Sequence, residues 1–539
     1  MIVSWKSFIR IFVPLVFFVS TLGFALSVPS DVYISPDESA NALFSELFAS
    51  EQRLWTTEEL NIPLDGIIHP RSIVAIEDKS VPVSFLGLPV LYGTFAAVLG
   101  SWVLVFLTPV LALLSVLAWR ATVKKLWKDD LLADLSALAL MIHPAFWYYS
   151  SRGFMHNILF TALLIFAAWF WIVKPLYGSD RNASFDVIAS GACIGLALAT
   201  RGSELIWMGV AIVGLFYVSR KALSFQKIIL FAVGLSVALL PFAGLQNAIY
   251  GSPLSVGYTV ESTEVAVVED NSQEDASTFD QWVEGSSLGS ILLPFGIHER
   301  NILNNVLNYG LLLYPWMTLL ALAGALLLAR NKEYRRYILL TLFVGIWLLI
   351  VYGSWSFNDN PDPSAITIGD SHVRYWLPLF VLMTPFVAHL FSYAVKSRHT
   401  LQKVSILTII LCILLSGQLV FFGKDGVLAA RTNLHEASQK REIILENTDD
   451  DGIIVVDYAD KYLFPDRRVV IPLRDDSTYA AMPEMVLLTS LYYFGITFPQ
   501  TDMDYLNGEK LGDMGLRIDP IVTTGEETLY QIRMTDTEF

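Results

Sequence analysis

The chain has 539 residues, of which 54% are hydrophobic and only 16% charged. That balance excludes an ordinary soluble globule, and a net charge of −15 argues against nucleic acid as a partner. The two cysteines, Cys193 and Cys412, lie inside apolar segments. There is no zinc-ligand spacing, Walker loop or GxGxxG motif.

A bilayer span takes about 20 apolar residues. Runs of that kind occur near 9–28, 101–120, 131–149, 154–173, 185–199, 204–219, 227–246, 303–329, 337–353, 376–395 and 404–422. Residues 1–28 read as a retained helix, because the run is long for a signal peptide. A further apolar stretch, 83–99, is broken by Gly87, Pro89 and Gly93. Charge decides what it is, since Lys and Arg collect on the cytoplasmic side of membrane helices. If 83–99 does not span, the basic clusters Arg120–Lys128, Lys174–Arg181, Arg220–Lys227, Arg330–Arg336 and Lys396–Lys403 all face inward. The stretch is therefore expected to be interfacial or re-entrant.

The predicted fold class is mainly α. It is a polytopic membrane protein with about eleven transmembrane helices, the N-terminus inside and interfacial helices in the first outer loop. Residues 1–422 form the membrane domain, with outer loops at 29–100, 247–302 and 354–375. The tail, 423–539, carries short apolar runs at 452–458, 467–473 and 528–534 and a helical stretch at Met485–Phe494. It is expected to be a small extracytoplasmic α/β domain. The segment 261–284 holds eight acids and no Lys or Arg, which reads as a solvated loop.

The first outer loop opens with YISPDESANALFSELF, residues 33–48. Ala40, Leu43, Phe44, Leu47 and Phe48 fall on one helix face. Ser35-Pro36-Asp37-Glu38 fits a capping box, with Ser35 as N-cap, Pro36 at N1 and Glu38 reaching back. Glu38 is the better cap, which leaves Asp37 free to act on a substrate.

Arg152, Arg201 and Arg374 break the positive-inside pattern, each at an expected outer helix end. Snorkelling explains each one singly. Together they form a candidate site for an anion such as a lipid phosphate, because guanidinium donors fork to two oxygens. His69, His143, His156, His298 and His372 also fall near outer ends, where a structural hydrogen bond is the commoner role. Asp359, Asp362 and Asp370 share the loop before His372, in ordinary turn sequence.

An acidic pair directly after the first helix, about eleven spans and an outer soluble module resemble the GT-C class of membrane glycosyltransferases. The resemblance is to the protein O-mannosyltransferases and lipid A aminoarabinose transferases. PFAGLQNAIYGSPLSVGY (241–258), LLPFG (292–296), RYWLP (374–378) and TRGSE (200–204) look like stretches of its prokaryotic members. HPRS at 69–72 departs from the family pattern.

The resemblance covers roughly 1–422. It implies a polyprenyl-phosphate sugar as donor and a lipid, glycan or protein hydroxyl as acceptor, with membrane lipids around the enzyme. It implies inversion, with Asp37 as general base and Glu38 beside it. Arg374, Arg201 and Arg152 are the candidates for the donor phosphate, and His372, Tyr375, His69 and Arg71 for other substrate contacts. A lipid monophosphate donor demands no metal, so no obligatory cofactor is expected, although the family admits a divalent cation near Asp37. The expected location is the cytoplasmic membrane of a prokaryote, with site and tail outside. Two readings compete: a lipid or glycan transporter, and a non-catalytic envelope assembly protein. Against a transporter, the out-of-pattern charges lie at helix ends rather than mid-span.

Overall fold

A computed structural model describes residues 8–173, 180–218, 223–260, 296–357, 365–397, 399–473 and 475–535. The acidic segment 261–284 and the candidates Asp359 and Asp362 lie outside these residues. The described residues divide into two compact units. One lies within Met1–Leu26, Trp102–Gly244 and Glu269–Ala430, the other within Ser27–Ser101, Leu245–Val268 and Arg431–Phe539.

The first unit is helical. Each apolar run expected from the sequence is helix. Among the described residues five helices are long and apolar enough to cross a membrane: Ser101–Trp127, Phe225–Tyr250, Lys332–Val351, Leu377–Ser397 and His399–Glu446. Ile9–Ala25 and His156–Ile172 are shorter. Three helix pairs are bent: Asp130–Met141 with Pro144–Ser151 by 58°, Ser184–Thr200 with Gly202–Tyr217 by 117°, and Glu299–Leu312 with Pro315–Ala329 by 94°.

The last bend corrects the reading of 303–329 as one continuous span. Tyr314 precedes Pro315 and takes φ −143°, ψ 63°, outside the helical region. A proline ring disfavours helical backbone in the residue before it. His143, before Pro144, breaks its helix pair the same way at ψ 120°. The helices Asp180–Thr200 and Phe225–Tyr250 cross at two glycines. A Cβ at Gly191 would lie 2.0 Å from Phe231 O, and one at Gly234 would lie 2.0 Å from Ile188 O.

The second unit holds the helix Pro36–Glu51, two sheets and the helix Gly87–Leu99. At 13 residues and 1.5 Å rise, Gly87–Leu99 is about 20 Å long, against a hydrocarbon core of about 30 Å. With Ile9–Ala25 and His156–Ile172 it is one of the shorter apolar helices. It packs on Pro36–Glu51 at Gly93, where a Cβ would lie 2.7 Å from Ser45 O.

Strands β1 (Thr56–Thr57), β2 (Ile73–Ile76) and β3 (Lys79–Pro82) form an antiparallel sheet in the order β1-β3-β2. The sequence reading assigned no strand here. The tail contributes β4 (Ile453–Val456), β5 (Arg468–Val470), β6 (Leu491–Ile496), β7 (Leu516–Thr524) and β8 (Glu527–Met534). Their order is β5-β4-β6-β8-β7, with β5, β4 and β6 parallel and the rest antiparallel. The expected helix at Met485–Phe494 is corrected. The helix is Asp476–Leu488, and residues 491–496 are the strand LYYFGI, whose side chains alternate between the two sheet faces.

Those faces also decide what the tail packs with. Ile453, Val455, Leu491 and Tyr493 join a core with Leu64 and Ile68, while Ile454, Val456, Tyr492 and Phe494 join one with Val32. This is the period of two that a strand imposes. Val32, Leu64 and Ile68 belong to the segment 29–100, so that segment completes both cores. Ion pairs Arg441–Asp31 at 2.9 Å and Arg468–Glu58 at 2.8 Å lie on the same seam. The tail therefore folds as one unit with 27–101, rather than as a module bounded at 423.

Candidate active site

The acidic turn is built as its residue types require. Ser35 is extended at φ −125°, ψ 154° and caps the helix. Its hydroxyl accepts from the Glu38 amide at 3.4 Å, and Glu38 Oε2 accepts from the Ser35 and Ile34 amides at 3.1 and 3.2 Å. Two orphan donors of the chain entering the helix are thus satisfied by one carboxylate. Glu38 is 3% exposed, with Oε2 engaged in this cap. Asp37, half-buried, points elsewhere: its Oδ1 accepts from Ser72 Oγ at 2.7 Å.

Ser72 belongs to HPRS, which turns the chain into β2. It adopts φ 64°, a left-handed conformation that costs a non-glycine residue free energy. Its neighbour Arg71 is one of the substrate-contact candidates of the sequence reading. Its guanidinium is committed to Asp460, with Nη2 to Oδ1 at 2.5 Å and Nε to Oδ2 at 3.0 Å. The His69 ring nitrogen Nδ1 lies 3.1 Å from Pro70 O.

The three arginines and the His372 turn all lie in the helical unit. Arg201, at the break between Asp180–Thr200 and Leu205–Val218, is 6% exposed. It pairs with Glu204 at 2.7 Å and donates to the Tyr352 hydroxyl at 2.9 Å. Its guanidinium carbon lies 4.4 Å from the centre of the Tyr375 ring, and that of Arg374 lies 5.2 Å from the same ring. Tyr352 stacks on Tyr375 at 4.5 Å. Two of the three out-of-pattern cations thus flank one aromatic ring. Arg374 also donates to Ser371 Oγ at 2.6 Å. The Nε of Arg201 has no hydrogen-bond partner among the described residues.

Arg152 sits over Tyr148 and Tyr149 at 5.7 and 5.9 Å. Tyr149 donates to the carbonyls of Gly369 and Asp370 at 3.0 and 3.1 Å, which ties Arg152's helix end to the turn that carries His372 and Arg374. His372 is buried, with Nδ1 2.7 Å from Asp370 Oδ1 and Nε2 3.2 Å from Trp355 O. Both ring nitrogens are engaged and the ring stacks on Tyr309 at 5.0 Å, so His372 shapes the turn. His143 is buried against Phe380 at 4.5 Å.

Sequence reading missed Glu204, Tyr352, Ser72 and Asp460. Glu204 was visible as an acid three residues after Arg201 within one helix break. Asp460 follows a buried parallel strand, where side chains of α/β sheets are presented for work. Tyr352 and Ser72 left no local signal.

Among the described residues no group of three or more His, Cys, Asp or Glu could hold a metal ion. Glu38 Oε2 faces two backbone amides, and Ser72 donates to Asp37.

No family model matches the sequence, and no curated protein matches it. Solved structures do. ArnT from Cupriavidus metallidurans bound to undecaprenyl phosphate matches at TM-score 0.55 and 12% identity, over 98% of this chain and 98% of that one. The apo form of the same protein matches at TM-score 0.52 and 12% identity, over 96% and 97%. The mycobacterial arabinofuranosyltransferase AftD matches at TM-score 0.46 and 12% identity, over 97% of this chain and 40% of that one. With ArnT matched along the whole length of both chains, this multi-pass membrane protein has the GT-C fold.

Proposed function

We propose that this protein is a membrane glycosyltransferase. It moves a sugar from a polyprenyl-phosphate donor to an acceptor hydroxyl on the outer face of a prokaryotic cytoplasmic membrane. The observation that carries this reading is the end-to-end match to a fold that, in ArnT, was solved with undecaprenyl phosphate.

Asp37 is the general base. It takes the proton of the acceptor hydroxyl, whose oxygen bonds to the anomeric carbon as the carbon–oxygen bond to the donor phosphate breaks. The electron pair leaves with the polyprenyl phosphate, and the anomeric centre inverts. A positioned base contributes about 10²–10⁴-fold to such a step. Arg201, Arg374 and Arg152 bind the leaving phosphate, where negative charge develops and prepaid cations lower the barrier. Tyr375, in contact with both Arg201 and Arg374, orients the two guanidinium groups, and His372 holds the turn. His69 is the substrate-contact candidate of the first outer loop, while Arg71 has a different part, set out below. No step runs through a metal, and no obligatory cofactor is proposed.

The test is the Asp37→Asn variant of the full chain, checked for folding and assayed for transfer from a labelled polyprenyl-phosphate sugar. Asn suits an N-terminal helical turn, so the scaffold should persist while turnover falls at least 100-fold. Wild-type turnover by Asp37→Asn would sink the assignment.

A further inference from the structure

We propose that the tail positions the catalytic carboxylate, through Asp460 acting on Arg71 and Ser72. This rests on the reading of Asp37 as general base.

The first turn after β4, Asp460–Leu463, grips the chain on both sides of Asp37. On one side Lys461 Nζ donates to Ile34 O at 3.0 Å, directly before the capping Ser35. On the other side Asp460, whose side chain is 0% exposed, takes Arg71 from two directions. Its Oδ1 accepts from Arg71 Nη2 at 2.5 Å, and its Oδ2 accepts from Arg71 Nε at 3.0 Å. The same Oδ2 accepts from the Arg71 backbone amide at 2.9 Å. Tyr458 completes the clamp, with its carbonyl 3.3 Å from Arg71 Nη2 and its ring 5.2 Å below the guanidinium.

A side-chain ion pair alone would serve only to join the tail to the loop. The backbone bond does something further, because it fixes the Pro70–Arg71 peptide, one residue before Ser72. Ser72 is held at φ 64°, and its hydroxyl donates to Asp37 Oδ1 at 2.7 Å. A serine persists in that conformation when its surroundings over-determine it. Asn61 helps from behind, accepting from the Ile68 amide at 2.9 Å and donating to Ile68 O at 3.1 Å. The route is thus Asp460 to the Arg71 amide, to Ser72 Oγ, to Asp37. One carboxylate oxygen is steered by a hydroxyl whose place is set by a residue nearly 390 positions away. Asp460 and Ser72 are positioning residues: they act on the base, and the base acts on the acceptor. A misplacement of about 1 Å at a reacting group costs about 10²-fold in rate.

The experiment uses the full chain in detergent or proteoliposomes, with Ser72→Ala, Asp460→Asn, the double variant and Asp37→Asn. The probes are two radiolabelled donors, one undecaprenyl-phosphate pentose and one undecaprenyl-phosphate hexose. For whichever is turned over, Ser72→Ala and Asp460→Asn should each lower kcat about 10- to 100-fold while the donor KM stays within about twofold. The double variant should fall no further than the worse single variant, because both act on one route. A purely structural Asp460 would instead lower the amount of folded protein and leave kcat per folded molecule unchanged.

Amide hydrogen exchange adds a readout independent of turnover. Asp460→Asn should speed exchange at Arg71, whose amide bonds Asp460, and at Ile73 while the β4 amides stay protected. If Asp460→Asn leaves exchange at Arg71 unchanged, the proposed route is overturned. The two readings can fail separately. If Asp37→Asn is active, the base assignment fails. If Asp37→Asn is inactive while Ser72→Ala and Asp460→Asn keep wild-type kcat, the positioning role fails. If the wild-type chain transfers neither sugar, the glycosyltransferase reading fails and takes the positioning role with it.

Discussion

Arg201 and Glu204, three residues apart in one helix break, form a 2.7 Å ion pair with side chains only 7% and 3% exposed. The Glu204 carboxylate is saturated: Tyr352 donates to Oε1 at 2.6 Å and Trp207 to Oε2 at 2.5 Å. Removing one member of such a pair leaves the other charge buried and unpaired, at a cost of about 3–5 kcal/mol. Glu204→Gln should therefore lower the thermal midpoint of the purified protein strongly, whatever its effect on turnover. A midpoint close to wild type would mean that the pair is solvated in the membrane-embedded protein.

Arg374 is placed differently. It contacts Ser371 Oγ, Met155 and the Tyr375 ring. Arg374→Lys keeps the charge and loses the planar fork that matches two phosphate oxygens. The expected result is a folded protein whose donor KM rises about tenfold, equivalent to about 1.4 kcal/mol. Steady-state kinetics with a labelled polyprenyl-phosphate sugar would show it. An unchanged KM and kcat would remove Arg374 from the phosphate site.

Asp129, in the turn before the helix Asp130–Met141, offers a pH test outside the spans. Burial pushes its carboxyl up. The bond from Lys396 Nζ at 2.5 Å and those from the Leu131 and Leu132 amides outweigh burial and hold it below the ordinary carboxylate range. A lowered folded-state value gives stability that is present above the unfolded value, about pH 4, and is lost as pH falls through the lower folded one. Asp129→Asn keeps an oxygen for the cap and loses the ion pair. It should destabilise the protein by up to about 1 kcal/mol at neutral pH, because Lys396 is largely exposed. The difference from wild type should close below about pH 4, and unfolding midpoints across pH would check it. A gap that persisted in acid would assign the loss to the cap instead.

Much of this protein was legible before any coordinates. Ser35, Pro36 and Glu38 formed the capping box that their spacing implied, because a cap is a matter of three adjacent residues and the first helical turn. The runs at 452–458, 467–473 and 528–534 hold strands, since buried strands leave continuous or alternating apolar sequence. The error at Met485–Phe494 was one of period over a short apolar run, where helix and strand look alike. The right-angle bend at Tyr314 was missed because Pro315 was read as part of an uninterrupted apolar run.

What composition and charge pattern determined by themselves was the class of molecule: a polytopic helical membrane protein with a soluble α/β tail and an acidic pair after the first helix. These are properties of local sequence, since span length, basic clusters and caps are each set by neighbouring residues. Tertiary structure alone decided the partnerships. Arg71 went to Asp460, Arg201 to Glu204 and Tyr352, and Asp37 to Ser72. Arg71 and Asp460 stand 389 positions apart, and nothing in either one's neighbourhood encodes the other. Which guanidinium meets a buried carboxylate depends on how the chain closes on itself, because a charge leaves water only where packing supplies its partner.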